Sequence, residues 1–151
     1  MEKYETPIED IYFALTELIN FEKYTKSIGN NELSSKNIKM IIEEAGKFAT
    51  QELDSINHIG DQEGIKLENG LVRMPQSFVK AYKSFINNGW FSIIGHNKYG
   101  GQNLPLSSVV AINEIWQSTN MSFATNNMLT QGAIELLESH GNEIQKNKYL
   151  P

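Results

Sequence analysis

A chain of 151 residues with 40% hydrophobic residues and a net charge of −5 can bury one ordinary core but not two, and its apolar share excludes a disordered segment. It has no cysteine, which excludes disulfides, thiolate metal sites and a cysteine nucleophile. Arg73 is the only arginine, so the clustered basic surface of a nucleic-acid binder is missing.

The chain opens Met1-Glu2-Lys3-Tyr4-Glu5, charged and without the apolar run of a signal peptide. No window approaches the roughly 18 consecutive apolar residues of a membrane span, so the cytoplasm is the expected location. Thr6 as cap and Pro7 at the first helical position open a helix whose stripe is Ile8, Ile11, Tyr12, Leu15, Leu18 and Ile19. A polar stretch at Gly29-Asn30-Asn31 interrupts. Ser34 or Ser35 then starts a longer helix through Ile38, Ile41, Ile42, Ala45, Phe48, Ala49, Leu53 and Ile56. Gly60 to Gly64 punctuates, and Asn69-Gly70 signals one small type I′ hairpin between Ile65 and Met74.

Pro75 opens a third helix with Phe78, Val79, Tyr82, Phe85 and Ile86 inward, closed by Asn87-Asn88-Gly89. After the loop from His96 to Pro105, Leu106–Ser118 and Ser122–Ser139 read as two helices, apolar on more than one face and buried within a bundle. Gly141 ends the second, and Asn142 with Gln145 forms a capping box for a last short helix to Tyr149. The expected architecture is all-α, a bundle of about six helices with at most one small β-hairpin.

Catalytic signatures are missing. There is no Gly-x-Ser-x-Gly elbow, and Gly100-Gly101 lacks both the Lys-Ser/Thr of a P-loop and dinucleotide-binding spacing, so it reads as a tight turn. Glu135, Glu138 and His140 miss the Glu-x-x-His spacing of a di-iron bundle. His58, Asp61 and Glu63 could hold a hard cation, but a polar loop between helix and hairpin is the expectation, and His96 reads as a surface histidine. No catalytic residue and no metal ligand is therefore expected. The helix Ser122–Ser139 carries Ala124, Thr125, Met128, Leu129, Gly132 and Ala133 at spacings of three and four. Such a stripe either admits another helix closely or leaves a slot for a slender apolar ligand; from the residues alone, close packing is expected.

Several segments, in order, resemble the N-terminal helical domain of the acyl-CoA dehydrogenases. Gly89-Trp90 followed by Lys98-Tyr99-Gly100-Gly101-Gln102 is similar to the family's Gly-Trp … Glu-Tyr-Gly-Gly stretch. The helix pair containing Ile112-Asn113-Glu114 follows. Gly141-Asn142-Glu143-Ile144-Gln145-Lys146-Asn147-Lys148-Tyr149-Leu150-Pro151 is similar to the Gly-Thr-Glu-Glu-Gln-Lys-x-x-Tyr-Leu-Pro run that closes the domain. Upstream, the stretch from Leu53 through Asn57 and Gly60-Asp61-Gln62-Glu63-Gly64 is similar to Leu-Ala-Pro-Leu-Asn … Gly-Asp-x-Glu-Gly. With residues 1–33 as an N-terminal helical extension, this resembles the subgroup that contains methylmercaptopropionyl-CoA dehydrogenase. His96-Asn97-Lys98 replaces a Pro-Glu ahead of the turn, and Gln131 a frequent histidine.

The resemblance implies an enzyme of helical, β and helical domains, assembled as dimers or tetramers, that binds FAD and oxidises an acyl-CoA thioester at its α,β carbons in fatty acid metabolism. The glutamate base and most flavin contacts then belong to the middle β-domain and C-terminal helical domain, which are absent from residues 1–151. The expectation is a single N-terminal domain, inactive and without FAD by itself, partnered by the remaining domains or a second copy. Its helix Ser122–Ser139 would line the acyl pocket through Ala124, Thr125, Met128, Leu129 and Gly132. The alternative is a stand-alone helical protein-interaction module derived from such an enzyme.

Overall fold

A computed structural model describes residues 3–31 and 33–151. Helix α1 (Ile8–Phe13) runs into a π-helical turn (Ala14–Leu18) and buries Ile11 and Leu15. Thr6 is not its cap: Pro7 holds that position, and the Thr6 hydroxyl packs against α3, where a Cβ on Gly46 would lie 3.0 Å from it. Leu18 and Ile19 are exposed, contrary to the stripe, because the wider π turn rotates everything after it. Asn20, at φ 53°, ends this helix and begins α2 (Phe21–Ser27). That helix has only seven residues and two inward positions, Phe21 and Thr25, too few for a legible period.

Helix α3 (Ser35–Phe48) begins at a reciprocal cap between Ser34 and Asn37. It continues through a second π turn (Ala49–Leu53) into α4 (Asp54–Glu63), which Gly64 ends at φ 63°. Ile38, Ile42, Ala45, Phe48, Ala49, Leu53 and Ile56 are buried, and Ile41 is half-buried. His58, Asp61 and Glu63 thus stand on the last turns of a helix, not in a polar loop. Among the described residues no group of three His, Cys, Asp or Glu is arranged to hold a metal ion.

Strands β1 (Lys66–Glu68) and β2 (Leu71–Arg73) pair antiparallel, with Leu67 opposite Val72. Asn69 and Gly70 at φ 52° and 76° make the expected turn. Helix α5 (Gln76–Asn87) buries Phe78, Ala81 and Phe85, while Tyr82 and Ile86 face outward. Three inward residues satisfy this helix because it touches the core along one narrow edge. Gly60 makes that contact possible: a Cβ there would lie 2.5 Å from the Phe78 ring.

The loop that follows is tied to itself. Backbone N–H groups of Gln102, Leu104 and Asn103 donate to the carbonyls of Ser92, Ile93 and Gly95, each at 2.9 Å. Helix α6 (Leu106–His140) reverses at Asn120, whose φ −152° and ψ 88° are non-helical, so it forms two arms. Asn113 and Gln131 share a 3.1 Å hydrogen bond across the arms. A straight helix would separate residues this far apart by about 27 Å. Helix α7 (Glu143–Tyr149) has the expected Asn142–Gln145 capping box. The core centres on Phe85, whose ring meets Trp116 at 4.8 Å, Phe123 at 5.6 Å and Phe48 at 5.7 Å. No helix among the described residues is long and apolar enough to cross a membrane.

Candidate functional site

The second arm of α6 carries the candidate stripe, and Asn120 aims it. Fully buried, the Asn120 amide donates from Nδ2 to the Leu53 carbonyl at 3.2 Å. Its Oδ1 accepts from Phe123 N at 3.1 Å and Ser122 Oγ at 2.9 Å. One side chain therefore caps the new helix and fastens its start to the π turn between α3 and α4. Leu53 closes that π turn, where the helical ladder slips by a residue. The sequence shows the cap only as the gap between Ser118 and Ser122.

Beyond Asn120 the second arm has two unlike sides. Phe123, Ala124, Asn127 and Gln131 are buried against the rest of the chain. Met121, Thr125, Met128, Leu129, Gly132 and Leu136 share the opposite side and are exposed, Leu129 at 74%. The arm is thus not buried on more than one face by this chain. Of the five residues read as lining an acyl slot, the fold brings Thr125, Met128, Leu129 and Gly132 together on the outer face and turns Ala124 inward at its margin. Met121 and Leu136 extend the same face, and their spacing of four from Thr125 and Gly132 was the available signal.

This face is apolar and uncharged. Between Met121 and Ile134 the arm has no ionisable residue. The Thr125 hydroxyl donates to the Met121 carbonyl at 2.8 Å, which leaves its methyl group for the outside. A Cβ added to Gly132 would meet nothing within 4 Å, so no neighbouring helix requires a small residue there. Close packing inside the domain, the expectation from the residues alone, does not explain the stripe.

The Tyr99-Gly100-Gly101 turn is structural in this fold. Gly101 lies so close to the preceding strand of loop that a Cβ would sit 1.8 Å from the Gly95 carbonyl oxygen. With Ile134, Leu150 and Pro151 the turn closes a pocket of about 190 Å³. His96 and Glu138 are engaged here: His96 N donates to Glu138 Oε1 at 2.8 Å, and its ring Nδ1 accepts from Lys98 N at 3.1 Å. Lys98 pairs with Glu143 at 3.2 Å, and hydrogen bonding to Tyr99 and then Glu143 raises its pKa. An open groove between α3 and α5, floored by Phe48 and Trp90, lies apart from the candidate face.

A family model described as "Acyl-CoA dehydrogenase, N-terminal domain" matches residues 35–151. The chain is 35% identical over 147 residues to a protein of Ruegeria pomeroyi named 3-methylmercaptopropionyl-CoA dehydrogenase. That alignment takes in 97% of this chain and 25% of the relative, so the chain spans about a quarter of the length of the curated protein it matches.

Proposed function

The chain belongs to the acyl-CoA dehydrogenase family through its N-terminal domain, and we propose that it supplies one wall of the pocket for the acyl chain of an acyl-CoA thioester. The observation that carries this reading is the outer face of the second arm: small, flexible and apolar residues that the domain's own packing does not use. Thr125, Met128, Leu129 and Gly132 would lie along the acyl chain, with Ala124 at the edge. Each methylene withdrawn from water against such a wall contributes about 0.8 kcal/mol. Met128 adapts its shape to the chain, while Gly132 leaves room for it. These residues bind, orient and exclude water; none can take a proton.

FAD, which members of this family use as electron acceptor, does not fit this face. It presents no charged group to a diphosphate, and its Thr125 hydroxyl already donates to the Met121 carbonyl. We assign α,β-dehydrogenation to a complete family member, in which this wall meets further domains, and not to these residues alone. The purified chain is accordingly expected to retain neither FAD nor acyl-CoA, because one open wall buries too little of either ligand. A stable yellow complex would overturn that expectation.

The acyl-wall reading has its own test. The matching quarter of the Ruegeria pomeroyi relative is replaced by this chain, and dehydrogenation of acyl-CoA thioesters of increasing length is measured. Gly132→Leu in the chimera should lower kcat/KM more for longer acyl chains than for short ones, by about 10-fold or more for a clash worth 1.4 kcal/mol. An equal loss at every length would reject Gly132 as part of the pocket.

A further inference from the structure

Asn127 and Gln131 lie one turn apart on the inward side of the second arm, exposed by only 2% and 7%. Gln131 Oε1 is held by Asn113 Nδ2 of the first arm at 3.1 Å. Gln131 Nε2 and both amide atoms of Asn127 have no partner in the protein. An Asn–Gln pair spaced by four can close on itself, but here the two amides do not bond to each other. Buried polar groups in folded proteins are paired in the great majority of cases, so three such atoms in one seam ask for a partner from outside the chain.

We infer that the seam between the two arms of α6 is a binding site for a buried water molecule, held by Asn127 and Gln131. The chemistry of the free atoms selects it. They are neutral amides, two donors and one acceptor, a set that water satisfies by accepting from Nδ2 and Nε2 and donating to Oδ1. A metal cation would meet two N–H donors, and an anion would meet the Asn127 oxygen without a compensating charge. Side chains of another domain or subunit are excluded by depth, since both residues are already more than nine-tenths covered within this chain. Asn113, which holds Gln131 Oε1, is itself half-buried. The site lies on the inward side of the arm and does not depend on the acyl-wall reading.

The uniformly 15N-labelled chain tests this directly. Water-selective NOE and ROE spectra should show cross-peaks from water to the side-chain NH2 groups of both Asn127 and Gln131, with the sign of a long-lived water. Oxygen-17 relaxation dispersion should lose one long-lived water in Asn127→Leu, and the Gln131 cross-peak should vanish with it. Asn127→Ser, which keeps a polar atom and serves if the leucine variant fails to fold, should retain the Gln131 cross-peak. Absence of water cross-peaks in the wild-type chain, or an NOE directly between the two amides, overturns the inference.

Discussion

Two glycines of the same composition answer to different constraints. At Gly101 a methyl group would collide with the Gly95 carbonyl oxygen, so Gly101→Ala should destabilise the chain by about 2–3 kcal/mol as the loop is forced apart. At Gly132 a methyl group enters open space in a helix, so Gly132→Ala should stabilise it by about 0.5–1 kcal/mol. Urea midpoints of the two variants measure both shifts. A destabilised Gly132→Ala would mean that the small stripe serves the domain's own packing after all. Residue identity in the sequence points to both glycines but cannot separate them. Which one is crowded depends on chain segments that meet only on folding, such as Gly95 against Gly101. Asn127 and Gln131 are illegible for the same reason: polar letters in a helix read as solvent-facing until the opposite arm covers them.

The helices show where periodicity succeeds. Seven of the eight stripe positions between Ile38 and Ile56 are buried, the helix start expected at Ser34 or Ser35 is found, and the Asn142–Gln145 capping box forms, because those signals are local to one turn. The π turns at Ala14–Leu18 and Ala49–Leu53 have no such local mark. The first turned Leu18 and Ile19 to solvent, and the second let one helix run into another well past Ile56. The start of α3 carries a further tie: Glu22 of α2 accepts from Ser35 N at 3.2 Å. That backbone bond, then the Ser35 hydroxyl and the Lys26 charge, hold the Glu22 carboxyl below its ordinary pKa. A folded-state pKa depressed in this way adds stability above the unfolded value of about 4.3, and the increment is lost as pH falls through the folded value. Comparison of wild type with Glu22→Gln across the acid range should therefore show wild type ahead near neutrality and the gap closing as pH falls. A gap that widens toward acid would reverse the assignment.

For the molecule as a whole, the outer face of the second arm is not the only uncovered apolar surface. Ile65, Leu67, Val72 and Met74 share one side of the hairpin, and all four are exposed. A two-stranded hairpin is marginal without a partner, and apolar faces of this kind seed association. The isolated chain should thus self-associate as concentration rises in sedimentation velocity, and Leu67→Lys with Leu129→Lys should shift it to monomer. Each of those surface changes should alter stability by no more than about 0.5 kcal/mol. A wild-type chain that stays monomeric at high concentration would defeat this prediction. Helical class and the order of the longer helices were legible because they rest on local pattern, and the family through the motifs that resemble it; the two-sidedness of the second arm was not, because burial is a property of neighbours. The reversal at Asn120 also has a kinetic side. Its bond to the Leu53 carbonyl joins positions 67 residues apart. Closing that span is costly before the bond forms, so docking of the second arm should be a late folding event. Asn120→Ala, which removes the cap of the second arm and its tie to Leu53 and should cost about 2–4 kcal/mol, is then expected to hasten unfolding while leaving the folding rate nearly unchanged. Stopped-flow chevrons would show a raised unfolding limb; a lowered folding limb would place Asn120 in the nucleus instead.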